Sequence, residues 1–169
     1  MRIELEKLRE LGGRFSQVYG VEDLLLDDDV RLTEPTEVRG RIKRAGNEVE
    51  LLGRFEAGIQ TVCGRCLKPV VLPVSSEFSE RFVPAVSWRS EEQHELSEEE
   101  LNLAVFDGEA IDLDDLVREE ILLAIPGHVL CRDDCQGLCP TCGIDRNVSN
   151  CVCESENIDS RWQALRNLQ

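Results

Sequence analysis

Eight cysteines, all in closely spaced pairs, constrain this chain of 169 residues more than any other feature. Six of them fall in the run Cys131-x3-Cys135-x3-Cys139-x2-Cys142-x8-Cys151-x-Cys153, and the pair Cys63-x2-Cys66 lies far upstream. Eight thiols make two tetrahedral sets of four, which is the number that two closed structural zinc sites require. The spacing therefore predicts two bound zinc ions that tie distant segments of the chain together.

Other uses of these cysteines fit the sequence less well. Disulfides need an oxidising compartment, whereas the N-terminal run MRIELEKLRELGG has no apolar stretch of the kind a signal peptide carries. No later stretch reaches the ~18 apolar residues of a membrane span. We therefore expect a cytoplasmic protein whose reduced thiols bind metal. A catalytic cysteine is disfavoured, because His94 and His128 are the only imidazoles and neither lies in a nucleophile motif.

The spacing indicates the chemistry of the ligands but leaves two groupings of the cysteines open. The run Cys139-Pro-Thr-Cys142-Gly143 is typical of a zinc knuckle, since glycine permits the positive φ that follows the second cysteine. We favour one local site and one long-range site, with Cys131 and Cys135 joining the local cluster as the alternative. The rival ligand is an iron–sulfur cluster, which also takes four thiolates, and the knuckle form favours zinc. The favoured sets are Cys139, Cys142, Cys151 and Cys153, and Cys63, Cys66, Cys131 and Cys135.

Hydrophobic periodicity predicts a small β-sheet in the first half of the chain. From Thr36 apolar and charged residues alternate, and Ala45-Gly46-Asn47 is typical of a hairpin turn. The alternation continues over residues 48–60 and resumes over residues 70–82. Three antiparallel strands follow from this pattern, with Cys63 and Cys66 in the turn between the second and the third.

A helix is predicted after the sheet. Asp112 is a suitable N-cap, an apolar stripe runs over residues 113–125, and Pro126-Gly127 ends it. Residues 87–110 are acidic, with one short apolar strand at residues 101–106. We predict an α+β fold, an antiparallel β-sheet covered by this helix, with a zinc-stapled cysteine-rich C-terminal extension. The predicted parts are an N-terminal segment (1–35), an α+β core domain (36–126) and a zinc-binding C-terminal module (127–169).

Charge is high and unevenly distributed. The chain has 34 acidic and 19 basic residues, a net charge of −15. Residues 87–120 hold thirteen acidic and two basic side chains, whereas residues 36–68 hold seven basic and four acidic ones. An acidic chain repels phosphate backbones, so we expect the acidic block Glu98, Glu99 and Glu100 to meet a basic protein partner. Contact with RNA is expected only at the basic face of residues 39–44 and 54–68, which includes Arg39, Arg41 and Lys43.

Several motifs, taken in order, are similar to those of a known family. They are Cys63-Gly-Arg-Cys66-Leu67, Ile111-Asp-Leu113 leading to Leu123-Ala-Ile-Pro126, the distal cysteine run with Gly137-Leu-Cys139-Pro-Thr-Cys142-Gly143, and Ile158-Asp-Ser-Arg-Trp162. Over residues 36–168 the chain resembles the bacterial YceD-type family, the large ribosomal RNA subunit accumulation proteins. The resemblance implies a role in making or keeping large-subunit (23S) ribosomal RNA during ribosome assembly. It also implies a ribosomal protein or assembly factor of the large subunit as partner.

We interpret the chain as a non-enzymatic factor in this process. The alternatives are an enzyme that processes ribosomal RNA and a zinc-dependent regulatory module. An enzyme that processes ribosomal RNA would need carboxylates that bind magnesium, and Asp112, Asp114 and Asp115 are the only tight group. These residues fit better as acids of the first helical turn, where the helix dipole favours negative charge. A zinc-dependent regulatory module is weakened by the absence of a basic recognition helix.

Overall fold

The computed structural model describes residues 2–4, 12–88, 103–107, 109–153 and 161. Within these residues the chain forms eight strands and two helices. In chain order they are β1 (Arg2–Glu4), β2 (Gly13–Tyr19), β3 (Arg31–Leu32), β4 (Thr36–Ala45), β5 (Glu48–Val62), β6 (Pro69–Pro84), α1 (Ala85–Trp88), β7 (Leu103–Phe106), β8 (Ala110–Asp112) and α2 (Leu113–Ala124).

The main sheet has the strand order β2-β4-β5-β6-β7, and β3 pairs with β5. Strands β4, β5 and β6 are the three that periodicity predicted, and Gly46 takes a φ of 64° in the β4–β5 turn. The pairs β2–β4, β3–β5 and β4–β5 are antiparallel, whereas β7 runs parallel to β6. A parallel neighbour needs a crossover of about a dozen residues or more. The chain between Pro84 and Leu103 supplies one.

The described residues of the predicted N-terminal segment (1–35) form three strands, β1, β2 and β3. Strand β2 pairs with β4 over its full length, from Gly13 opposite Ile42 to Tyr19 opposite Thr36. Strand β1 forms a separate two-stranded sheet with β8. The predicted apolar strand at residues 101–106 is described from Leu103 onward, and its first two residues lie outside the described part.

Helix α2 packs on the sheet, as predicted. Asp112 is its N-cap, with its carboxylate accepting from Asp114 N at 3.0 Å. The helix ends at Ala124, one residue before the predicted end. Its buried stripe joins one hydrophobic cluster with the inward-facing residues of the strands, so the sheet and the helix share a core. The buried residues of the stripe are Leu113, Leu116, Val117 and Ile121.

The chain divides into two compact units. Unit 1 comprises residues 1–61 and 71–127, and unit 2 comprises residues 62–70 and 128–169. Unit 2 therefore combines the turn between β5 and β6 with the C-terminal part of the chain. The predicted boundaries near residues 35 and 126 remain predictions. No helix in the described part of the chain is long and apolar enough to span a membrane.

Candidate metal centres

The first cluster of thiols joins two parts of unit 2 that are far apart in sequence. The sulfur atoms of Cys63, Cys66, Cys131 and Cys135 all lie within 4.8 Å of one another. Cys63 Sγ is 3.8 Å from Cys135 Sγ, and Cys66 Sγ is 3.6 Å from Cys131 Sγ. Zn–S bonds of about 2.3 Å place the corners of a tetrahedron about 3.8 Å apart. The donor set therefore fits one tetrahedral ion, and all four cysteines are free of disulfides.

The second cluster is local in sequence. The sulfur atoms of Cys139, Cys142, Cys151 and Cys153 also lie within 4.8 Å of one another. The structure thus brings together the two sets of four that the sequence favoured. The alternative grouping, with Cys131 and Cys135 in the local cluster, is wrong. Each cluster could hold one metal ion.

The two Cys-x2-Cys turns have the same backbone hydrogen bonding. In the first turn, Leu67 N donates to Cys63 O at 3.0 Å and Cys63 N donates to Lys68 O at 2.8 Å. In the second turn, Gly143 N donates to Cys139 O at 2.9 Å and Cys139 N donates to Ile144 O at 2.9 Å. Both turns therefore belong to one structural type, the one expected of a zinc knuckle, and we call them the two knuckles.

The residue after the second cysteine has a left-handed backbone in both knuckles. Gly143 has a φ of 72°, as its position in the motif predicted, and Leu67 has a φ of 59°. Leu67 is the only non-glycine residue with a positive φ in the described part of the chain. A Cβ disfavours this conformation. The left-handed backbone conformation is therefore disfavoured by the leucine in the first knuckle and favoured by the glycine in the second.

The thiols within each cluster differ in acidity. Backbone N–H groups of Cys66 and Arg65 point toward the sulfur of Cys63 and lower its pKa to about 6. Backbone N–H groups of Cys142 and Thr141 lower the pKa of Cys139 to about 6 in the same way. The thiol of Cys66 raises the pKa of Cys131 to about 12. The thiol of Cys142 likewise raises the pKa of Cys153 to about 12. Each knuckle thus presents one thiol that ionises readily, and a divalent ion could hold all four sulfur atoms of a cluster as thiolates.

Hydrogen bonds also join the two segments of the first cluster. Gly64 N donates to Val129 O at 2.8 Å, and Leu138 N donates to Arg65 O at 3.0 Å. The guanidinium of Arg65 donates to Cys135 O at 2.8 Å. Arg65 therefore holds the segment that carries Cys135 against the first knuckle.

Asn147 links the first cluster to the turn that follows the second knuckle. Its Nδ2 donates to Cys135 Sγ at 3.5 Å, and its Oδ1 accepts from Gln136 N at 2.8 Å. Asp145 accepts from Asn147 N at 2.9 Å and forms an ion pair with Lys68 at 2.6 Å. Partners of this kind orient metal ligands and tune their basicity. Sequence reasoning missed Asn147, because its spacing from the cysteines carries no motif.

The predicted partner-binding residues lie elsewhere. Arg39, Arg41 and Lys43 are exposed on β4, where Arg39 pairs with Glu37 at 2.5 Å and Lys43 pairs with Glu50 at 3.0 Å. The pKa of Glu37 falls to about 2, because it accepts hydrogen bonds from Arg39 and Ser16. The block at residues 98–100 lies outside the described residues.

The carboxylates considered for magnesium serve the helix start. Asp112 caps α2, and Asp114 accepts from the Tyr19 hydroxyl at 2.8 Å. Burial is the main reason why the pKa of Tyr19 is raised, so this hydroxyl stays a donor. Both acids therefore have structural partners in unit 1.

Comparison with known proteins identifies the relatives of this chain. It is 33% identical over 125 residues to the uncharacterized proteins Rv2926c of Mycobacterium tuberculosis and Mb2951c of Mycobacterium bovis, a match that covers 74% of this chain. The chain thus spans 58% of the length of these mycobacterial relatives. It is 25% identical to the uncharacterized protein YlbN of Bacillus subtilis, over 98% of this chain and 92% of that protein. No solved structure matches it.

One protein family covers most of the chain. The family described as large ribosomal RNA subunit accumulation protein YceD matches residues 51–169. This range contains both knuckles, both cysteine clusters and helix α2. The chain therefore belongs to the YceD family.

Proposed function

We propose that this protein is a non-enzymatic cytoplasmic factor that supports the synthesis, processing or stability of large-subunit (23S) ribosomal RNA during ribosome biogenesis. The family to which it belongs supports the ribosomal part, since large-subunit ribosomal RNA accumulation is what that family is named for. One observation carries the non-enzymatic part. All eight cysteines are used in two complete sets of four. An ion with four sulfur ligands has no open position for water or substrate.

The resident ion in this proposal is zinc, one per cluster. It would be held by Cys63, Cys66, Cys131 and Cys135 in one site, and by the four later cysteines in the other. The ion supplies no chemistry beyond neutralising thiolates and cross-linking the segments that carry them. Structural zinc contributes roughly 10 kcal/mol or more of folding free energy in small modules. Among the described residues, unit 2 has a small apolar cluster around Cys63, Cys66 and Cys135, and we expect the unit to depend on the metal.

Metal content and unit stability test this part. Purified reduced protein should contain two zinc ions per chain, and a chelator should remove protection from hydrogen exchange in residues 128–153 while β4 and β5 keep theirs. Unit 1 should stay folded because it has its own hydrophobic cluster and α2. Iron with visible absorbance, or fewer than one zinc ion per chain, would contradict the proposed cofactor.

The proposed partner is a ribosomal protein or an assembly factor of the large subunit. The surplus of acidic residues over 87–120 supports a partner with a basic surface, because complementary charge steers association. Replacing Glu98, Glu99 and Glu100 together by lysine should weaken capture of such a partner. Exposed charges contribute little to stability, so the variant should unfold at the same temperature as the parent protein.

Loss of the gene tests the function itself. Deletion should lower large-subunit ribosomal RNA relative to small-subunit ribosomal RNA, and the intact gene should restore the ratio. A Cys63→Ser copy should restore it less well, because the first cluster loses a ligand. An unchanged ratio in the deletion strain would refute the proposed function. Cleavage of ribosomal RNA by the pure protein with magnesium would instead favour an enzyme.

A further inference from the structure

Four arginines form one patch on the outward face of the main sheet. Arg14 on β2 lies directly opposite Arg41 on β4, and Arg39 on β4 lies directly opposite Arg54 on β5. All four are exposed. Arg39 and Arg41 also point to the same face, because they are two residues apart on one strand. We call these four residues the arginine patch.

Like charges directly opposite each other in an antiparallel pair are destabilising. The arginine patch contains two such pairs side by side, in three neighbouring strands. Three of its members, Arg14, Arg41 and Arg54, have no carboxylate partner among the described residues, whereas Arg39 pairs with Glu37. Among the described residues, Glu77 lines the groove that holds all four arginines, and Glu37 and Glu56 line the adjoining groove beside Arg39 and Arg54. The positive charge of the patch is therefore least compensated at Arg14 and Arg41.

The backbone below the patch is firmly packed. Gly40 and Gly53 lie opposite each other on the inward face, between the rows that carry the arginines. The ring of Phe15 covers Gly40 and the ring of Phe78 covers Gly53, each so closely that a Cβ would fall within 2.4 Å of ring atoms. The strands thus present the arginines from a rigid surface, which is the arrangement that favours a binding site.

We propose that the arginine patch binds the phosphodiester backbone of RNA, an inference that rests on the proposed ribosomal function and names its ligand. Guanidinium groups match phosphate oxygens in paired hydrogen bonds, and Arg14, Arg41 and Arg54 are the members of the patch that have no carboxylate partner among the described residues. Contacts of this kind position a nucleic acid without reading its sequence. The patch therefore holds RNA in place and leaves sequence selection to other contacts.

The net charge of −15 does not prevent this binding. At physiological ionic strength the Debye length is about 8 Å, so carboxylates farther away are largely screened. Arg14 and Arg41 share their groove with Glu77 alone among the described acidic residues, whereas Glu37 and Glu56 lie beside Arg39 and Arg54. Two other basic residues expected to belong to the RNA-binding face are not available to it, because Arg65 donates to Cys135 O and Lys68 pairs with Asp145.

Binding of a short fluorescent single-stranded RNA of mixed sequence to the full-length zinc-loaded protein tests the proposal. The double variant Arg14→Glu/Arg54→Glu should bind at least about tenfold more weakly, since a hydrogen bond to a charged group contributes that much on average. The single variants Arg14→Ala and Arg54→Ala should each lower the slope of log affinity against log salt by about 0.7. Arg31→Glu is the matched control, because Arg31 is exposed on β3 opposite Gln60, away from the patch.

Three results would overturn the proposal. The first is that the parent protein shows no measurable RNA binding. The second is an equal loss of binding in the Arg31→Glu control. The third is that the patch variants bind RNA normally but lose an acidic protein partner. Melting temperatures of the alanine variants that are no lower than that of the parent protein would show that any loss of binding is not unfolding. Complementation of the deletion strain separates this proposal from the ribosomal function. Full rescue of the deletion strain by the patch variants would refute the RNA-binding site alone. A deletion without effect on ribosomal RNA would refute the proposed ribosomal function.

Discussion

Replacing Leu67 by glycine should strengthen the first knuckle. Leu67 has a φ of 59°, whereas the matching position of the second knuckle is glycine with a φ of 72°. The leucine side chain is 60% exposed, so little buried apolar surface would be lost on its removal. The substitution therefore changes the backbone preference and almost nothing else.

The expected gain follows from two opposing effects. A left-handed conformation costs an L-residue about 1–2 kcal/mol relative to glycine. Glycine, however, raises the conformational entropy of the unfolded chain, which lowers this gain by roughly 0.4–1 kcal/mol. A net gain of about 0.5–1 kcal/mol remains. Because folding of a small zinc module is linked to its ion, this gain should appear as roughly two- to fivefold tighter zinc binding.

Competition with a chromophoric zinc chelator measures the affinity, and mass mapping of alkylated cysteines assigns each ion to its cluster. Leu67→Ala is the control, because it removes the side chain but keeps the Cβ, and it should give no gain. Gly143→Ala is the reciprocal test, since nothing lies within 4 Å of the added Cβ. It should weaken the second cluster by about 1 kcal/mol. Weaker zinc binding in Leu67→Gly would refute the reasoning from backbone strain.

Three further predictions follow from the clusters and the charged faces. Cys63→Ser should expose Cys131 to alkylation while Cys139 stays protected, because the two belong to different clusters; equal exposure of both, measured by mass mapping, would contradict this. Arg41→Ala should raise the free energy of unfolding by a few tenths of a kcal/mol, because it removes a like-charge pair; a loss in urea unfolding would argue against repulsion. Burial raises the pKa of Glu80, so Glu80→Gln should stabilise the protein at neutral pH. That gain should vanish as the pH falls below the usual range of a glutamate, where both states are protonated.

Sequence patterns predicted the elements whose conformation depends on residues close together in the sequence. The period of two placed β4, β5 and β6, because one face of the sheet is buried. The N-cap at Asp112 and the positive φ at Gly143 were predicted because single residues determine them. Both sets of four cysteines were the favoured grouping, because ligand number and spacing leave few ways to build two tetrahedra.

Features that depend on distant residues were not predictable in this way. Strand β2 is only seven residues long, and its burial depends on pairing with β4. Arg14 could therefore not be placed beside Arg41 from the sequence. Asn147 gave no signal either, because its contact with Cys135 exists only after the surrounding turn has folded. The parallel pairing of β7 with β6 also joins residues that are far apart in the sequence, with Arg81 opposite Leu103.

The two halves of the proposed mechanism place opposite demands on stability. In the proposed function the eight thiols stabilise unit 2 only once an ion is bound, and we expect unit 2 to have little stability without it. The arginine patch lies on a sheet with its own core, and that core can tolerate the repulsion of two like-charge pairs. Without a bound anion, these like-charge pairs would only destabilise the protein. The repulsion between Arg14 and Arg41 and the affinity for RNA should therefore change together, each arginine removed making the protein more stable and a weaker RNA binder.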